Sequence, residues 1–206
     1  MRFHDPLTHI LDNKTKVVCL RLLCKYPTQI SGRQLSKIIK INPTTVNEAV
    51  NSLVANQIVM VRKAGKAHLY ELNKNHWVVA KILRPMFKLE DGLLNDFIDH
   101  IVRKIKSSQI KKEIVSIALY GSVQEKNEKP ASDIDLFVVL TEAKYKKKVE
   151  DLIFEINSDV LTQVGMGIEP NIKSVGEFKK NKKLNVFKSI LKSHRIILGQ
   201  KLEKLL

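Results

Sequence analysis

Two aspartates one residue apart, Asp133 and Asp135, open the apolar run DIDLFVVL, and ten residues before them a Gly121-Ser122 pair closes another run, EIVSIALYG. Residues i and i+2 of a strand point to the same face, so both carboxylates project together while Ile134 and Leu136 face the opposite layer. Neighbouring carboxylates resist being ionised together unless a cation lies between them. A hard divalent ion, Mg²⁺ or Mn²⁺, is the natural occupant, and it would also grip substrate phosphates. A glycine at the end of the preceding strand lets the backbone approach a phosphate, and the serine adds a hydroxyl and amide donors. Together these groups suit nucleotidyl transfer, in which a hydroxyl attacks in line and pyrophosphate leaves. The plain alternative is an accidental acidic pair at a strand start.

The pattern of an apolar residue, Gly121-Ser122, a ten-residue spacer and Asp133-Ile134-Asp135-Leu136 resembles the signature of the polymerase-β-type nucleotidyltransferase superfamily. The run ALYGS and Ser132 before the aspartates are similar to the minimal nucleotidyltransferases of prokaryotes. The resemblance covers roughly residues 110–200. It implies a nucleotidyltransferase fold, Mg²⁺ or Mn²⁺ as the ion, and a nucleoside triphosphate, ATP by preference, as ligand or substrate. It also implies a third acid on a neighbouring strand, for which Glu169 in Gly167-Ile168-Glu169-Pro170 is the candidate, with Asn171 as a weaker neutral alternative. Asp133, Asp135 and Glu169 are thus the expected catalytic and metal-binding set, and Gly121, Ser122 and Lys126 the expected nucleotide-binding set. One departure stands out. Where the family continues Gly-Ser toward an Arg-Gly, this chain has Val123-Gln124-Glu125-Lys126. Lysine binds phosphate as a point charge and not as a fork, and Glu125 would repel it.

These residues need strands and helices to position them. After Lys112 the order reads strand, loop, strand, helix, strand, helix, with EIVSIALYG and DIDLFVVL apolar throughout, as central strands covered by helices are. AKYKKKVEDLIFEINSDVLTQV reads as a long helix. GIEPNIKSV reads as a shorter strand at an edge, where Pro170 is tolerated. NKKLNVFKSILKSHRIILGQKLEKLL is expected to close the chain mostly as helix.

The first 75 residues have a different plan: three helices, then a hairpin. NKTKVVCLRLLCKYP stops at Pro27. ISGRQLSKIIKI opens with Ser31 and Gln34 at capping-box spacing, and Asn42-Pro43 starts the third helix. Val46, Ala49, Val50 and Leu53 repeat at helical spacing and mark a core face. IVMVRKAGKAHLYEL reads as two strands around a turn at Gly65. This order resembles the winged helix-turn-helix regulators. The resemblance implies that Thr44, Thr45, Asn47 and Asn51 on the third helix reach base edges in a major groove. Arg62, Lys63 and Lys66 on the wing would neutralise phosphates of double-stranded DNA. A winged helix used only for protein contacts is the alternative.

The fold class expected is therefore α/β in the broad α+β sense: a winged helix at 1–75, a helical linker at 76–108, and at 109–206 a mixed sheet flanked by helices. Pro85 and Gly92 mark expected kinks in the linker, which is either a packed connector or a dimerisation helix. The formal net charge is +15. Residues 1–75 hold 12 Lys/Arg against 4 Asp/Glu, a net +8, so more than half the excess lies in the first plan. Such a balance suits a polyanionic partner, although the lysine runs at 146–148 and 179–183 also read as solvated faces. Cys19 and Cys24 read as small core residues, and six scattered histidines offer no ligand pair at helical spacing. No apolar stretch approaches the roughly 20 residues that span a bilayer, and the N-terminus lacks the apolar core of a signal peptide. A cytoplasmic protein without a membrane role is expected, as a homodimer and with a protein partner still open. Three functions fit: a DNA-binding regulator whose second domain binds metal and nucleotide, an active enzyme that transfers a nucleoside monophosphate to a protein or small-molecule hydroxyl (as an antitoxin of that type would), or a degenerate domain kept for dimerisation or partner binding.

Overall fold

The computed structural model describes residues 3–26, 28–130, 132–181 and 184–206. Pro27, expected as a helix stop, and Lys182 and Lys183 of the second lysine run lie outside the described residues. The chain divides into two compact units, 1–93 and 94–206.

In the first unit α1 spans Lys14–Lys25, with Asn13 as its N-cap: the Asn13 side chain accepts the Lys16 amide at 2.9 Å. The Ser31–Gln34 capping box opens α2, Gly32–Ile39, and satisfies orphan amides from both directions. Asn42 caps α3, Pro43–Ala55, with Pro43 in its first turn. The hairpin follows as β2, Val59–Ala64, and β3, Ala67–Leu72, joined through Gly65 and Lys66. A short strand not foreseen from the sequence, β1 at Ile30–Ser31, pairs antiparallel with β3 and makes the sheet order β1-β3-β2. Two residues carry too little alternation to be read in advance. The order α1-β1-α2-α3-β2-β3 is that of a winged helix, built on a core that includes Leu20, Leu35, Val46, Val50, Leu53 and Tyr70.

Residues 77–107 are helical without a break at Gly92, and the irregularity expected at Pro85 takes the form of a change of helix type just before it. A π-helical turn at Val79–Leu83 leads into α4, Arg84–Ser107. The Arg84 amide donates to the Val79 carbonyl, five residues back. In a regular α-helix Pro85 would orphan a carbonyl one turn behind and crowd it with its ring; the wider turn absorbs both problems. Gly92 is simply carried along. Val79, Leu83 and Phe87 belong to the first core, whereas Ile98, Ile101 and Ile105 of the same helix belong to a core of the second unit.

The second unit holds a four-stranded mixed sheet, ordered β6-β5-β4-β7. Its strands are β4, Ile114–Tyr120; β5, Ile134–Leu140; β6, Ile168–Ser174; and β7, His194–Gly199. β5 runs antiparallel to β4 and parallel to β6, and β7 is antiparallel to β4. The closing segment is thus not mostly helical. RIIL pairs with β4 as an edge strand, because a short apolar run between polar residues can be satisfied by a sheet edge as well as by a helix face. Pro170 sits on the other edge, where its missing donor costs little. Ile134, Leu136, Val138 and Leu140 face α4 and α6, Lys146–Val164. Phe137 and Val139 face the opposite layer, formed by α7, Val175–Asn181, α8, Asn185–Lys192, and the 3₁₀ turn Leu202–Leu205. There Phe137, Phe178 and Phe187 pack edge to face or tilted, with centroids 5.1–5.6 Å apart.

The join between β6 and α7 is a second capping box, Ser174 with Glu177. The Ser174 amide and hydroxyl donate to Glu177 Oε2 at 2.8 and 2.9 Å, and Lys146 Nζ donates to its Oε1 at 2.6 Å. The Lys146 bond, followed by the Ser174 amide, pulls the Glu177 carboxyl down to about 2. A depressed carboxyl stabilises the fold fully above its unfolded value near 4.5 and loses that contribution as pH falls through about 2. Glu177→Gln is therefore expected to lower the melting temperature at pH 7, with the difference from the parent shrinking steadily between pH 5 and pH 2 in a thermal-melt series.

Candidate functional site

β4 and β5 bring the two halves of the sequence pattern together. Their register sets Tyr120 opposite Asp135, so Gly121, the next residue, lies against the start of β5. Gly121 has φ +72°, and a Cβ there would overlap the Asp135 carboxylate. The position thus demands glycine twice, by backbone conformation and by space. Ser122 follows in α5, a short helix at Gly121–Glu125.

Asp135 lies in β5, while Asp133 sits one residue before the strand begins. Strand alternation puts Asp135 on the face that carries Phe137 and Val139. The parallel register of β5 with β6 places Glu169 directly beside Asp135. Asp133 is held near the start of β6: its Oδ1 stands 3.1 Å from where a Cβ on Gly167 would be, and the Ile134 amide donates to the Gly167 carbonyl at 2.8 Å. Asn157 on α6 fixes the same corner by accepting the Ile168 amide at 2.8 Å.

The electrostatics follow from this placement. Burial pushes the Asp135 carboxyl up, and the charges of Asp133 and then Glu169 push it further. Tyr120 is raised as well, by burial first and then by the charge of Asp135, while a hydrogen bond with Asn171 opposes the shift. A row of partners crosses the whole sheet at this end, Glu169–Asp135–Tyr120–His194. His194 joins the row through β7, a strand whose short apolar run reads equally well as a helix face.

Among the described residues, no group of three or more His, Cys, Asp or Glu side chains stands close enough to hold a metal ion by itself. The donor set nonetheless fits a small hard cation. Mg²⁺ commonly takes one or two carboxylates and completes its shell with water and phosphate oxygens, and Asp135 is under repulsion from two acids that such an ion would relieve. In the segment that departs from the family pattern, Glu125 is exposed and accepts from Asn127 Nδ2 at 3.3 Å. Lys126 is exposed with φ +59°, ending α5.

In the first unit, the residues expected to meet DNA fall into two places. Asn47 and Asn51, one turn apart on α3, line a groove of about 460 Å³ that they share with Arg33 of α2 and Lys66 and His68 of the wing. Thr45 lies in a separate groove with Glu48, Ser52 and the start of α1. Thr44 is exposed in the first turn of α3, and Arg62 and Lys63 are exposed on β2. Arg33 and His68 were not singled out from the sequence; Arg33 was legible as the basic residue just inside the capping box. The first groove depends on a close approach: a Cβ on Gly32 would come within 2.6 Å of Asn47 Oδ1.

Residues 103–203 match the family model described as "Polymerase beta, Nucleotidyltransferase". Among solved structures, reduced HlyU from Vibrio cholerae aligns at 19% identity and a TM-score of 0.34, covering 43% of this chain and 84% of its own. The homodimeric winged helix-turn-helix DNA-binding domain Mb0332 from Mycobacterium bovis, described as a possible ArsR-family transcriptional regulator, aligns at 17% and 0.35, covering 47% and 84%. A toxin–antitoxin crystal structure with AMP-PNP aligns at 11% and 0.32, covering 50% and 75%. No curated protein matches the chain.

The raised Asp135 carboxyl has a signed consequence. Its ionisation costs folding free energy above its native value and costs nothing below its unfolded one, about pH 4. Asp135→Asn should therefore melt higher than the parent at pH 7, by roughly 2–4 °C per kcal/mol relieved, with no difference below about pH 4. Adding Mn²⁺ should raise the melting temperature of the parent and leave that of the variant nearly unmoved. A variant that melts lower at pH 7 would show that the carboxylate is not under net repulsion.

Proposed function

We propose that this chain, a winged helix followed by a polymerase-β-type nucleotidyltransferase domain, is a duplex-DNA-binding protein whose second domain binds a nucleoside triphosphate with a divalent cation. Residues 1–75 are the DNA-binding domain in this reading, 76–108 the connector and 109–206 the nucleotide-binding domain. The groove bounded by α2, α3 and the wing carries the first half of the reading. It offers two amide side chains on one helix face, Asn47 and Asn51, flanked by Arg33 and Lys66. Asparagine pairs with adenine edges in a major groove, and the flanking cations meet phosphates. A cytoplasmic homodimer on a two-fold symmetric DNA site fits this mode of binding.

Duplexes selected from a random pool should bind with an affinity that falls steeply with salt. Lys66→Ala should reduce the slope of log K against log salt by about one. Asn47→Ala or Asn51→Ala should cost roughly 1–3 kcal/mol of discrimination between selected and scrambled duplexes. Gly32→Ala, which displaces the Asn47 amide, should mimic Asn47→Ala in fluorescence anisotropy while leaving the fold intact by circular dichroism. Equal affinity in all four variants would overturn the DNA-binding reading.

The acidic corner supports the second half. In this reading the cation, which would neutralise the triphosphate, takes one or two carboxylates from among Asp133, Asp135 and Glu169 and completes its shell with water and phosphate oxygens; Gly121 and Ser122 would meet the phosphates through backbone and hydroxyl, and Lys126 would add a positive charge. Turnover is the further reading, favoured by the placement of Asp135 between two other acids. In that reaction an acceptor hydroxyl oxygen of a protein or small molecule bonds to the α-phosphorus. The bond to the pyrophosphate oxygen breaks, and the hydroxyl proton passes to solvent or a carboxylate. Calorimetry with ATP and Mg²⁺ should show binding that Asp133→Ala with Asp135→Ala removes. With radiolabelled ATP, label transfer to a partner that persists in that double variant would refute the assigned site.

A further inference from the structure

The first unit contains a cleft that shares no lining residue with the Asn47–Lys66 groove. It measures about 540 Å³ and is formed by the end of α1, the π-helical turn and the first turns of α4. Cys24, Ala80, Pro85 and the buried ring of Phe87 make its apolar part, and Lys25, Arg84, Lys88 and Asp91 its charged part. The size lies within the range of small-molecule sites.

The charges around it are only partly matched. α1 and α4 are zipped by matched ion pairs: Arg21 donates to Glu90 through Nε at 2.6 Å and through a second nitrogen at 2.7 Å, and Lys25 pairs with Asp91. Arg21 also lies over the Phe87 ring, 5.6 Å from its centroid. Nearer the start of α4 the matching stops. Arg84 and Lys88 stand one helical turn apart on the cleft wall, and neither has a hydrogen-bond or ion-pair partner among the described residues. The neighbouring thiol adds no negative charge, since burial pushes Cys24 up to about 11. The π-helical turn, imposed by Pro85, brings Ala80 to the wall.

We propose that this cleft binds a small organic anion, with its carboxylate or phosphate group between Arg84 and Lys88 and its apolar body against Pro85 and Phe87. The anion supplies the partner that the two cations lack, and the apolar wall distinguishes an organic anion from an inorganic one.

The test uses the full chain with three probes: inorganic phosphate, benzoate and phenyl phosphate. Amide chemical shifts are followed by NMR, and affinities are taken from the titrations. Benzoate and phenyl phosphate should perturb Ala80, Phe87 and Lys88 and bind at least about tenfold more tightly than inorganic phosphate. Comparing the two organic probes tells carboxylate from phosphate preference. Arg84→Gln and Lys88→Gln should each weaken binding by about tenfold. Both substitutions lie on an exposed helix surface, and circular dichroism checks that each variant stays folded. Three results would overturn the proposal: no perturbation by any probe; equal affinity for inorganic phosphate; or perturbations confined to the Asn47–Lys66 groove or to the Asp135 corner.

Discussion

The antiparallel pairing of β4 with β5 is the constraint on which the second unit rests. Both strands are covered on both faces, so their backbone groups can be satisfied only by each other and by the flanking strands. The register that buries Ile117 and Leu119 with Leu136 and Val138 also sets Tyr120 opposite Asp135. A slip of one residue would turn every apolar side chain to the wrong layer. The hydrophobic demand of the core thus fixes where the acid lies. The close approach of Gly121 to Asp135 is a by-product of that register, and glycine is the residue that tolerates it.

The same register explains why an ionisable corner survives beside an aromatic layer. Asp135 shares its face with Phe137, and the trio of Phe137, Phe178 and Phe187 fills the space beyond. Burial alone therefore disfavours its charge, and two acids on adjoining segments add to the cost. A fold optimised only for stability would place a neutral residue there. Carboxyls perturbed in this way occur both at functional sites and in structural charge networks.

The first unit follows another logic. Its helix starts are written locally, by Asn13, by Ser31 with Gln34, and by Asn42 with Pro43, and each cap forms as a short-range hydrogen bond. Its outer surfaces are set by what the core leaves over. With Val46, Val50 and Leu53 inside, α3 shows Asn47 and Asn51 on one flank and Thr45 with Ser52 on another. The polar residues of one helix therefore serve two grooves and not one.

Local chemistry made much of this legible in the sequence. Caps, the apolar period of α3, the wing and the Gly-Ser to Asp-x-Asp spacing all depend on neighbours within about a dozen residues, and the resemblances to winged-helix and nucleotidyltransferase folds rest on them. Two segments whose structure depends on a distant partner were not legible. RIIL near the C-terminus became β7 only because β4 offered a free edge some 80 residues away in sequence, as the pairing of Ser116 with Gly199 shows. β1 became a strand only because β3 was there to pair with. The uninterrupted passage of α4 through Gly92 was settled by its burial in two cores, which outweighs the modest helix penalty of one glycine. The sequence by itself determined which residues could do chemistry; tertiary pairing decided which of them meet, because register and strand order depend on energies shared across the whole sheet.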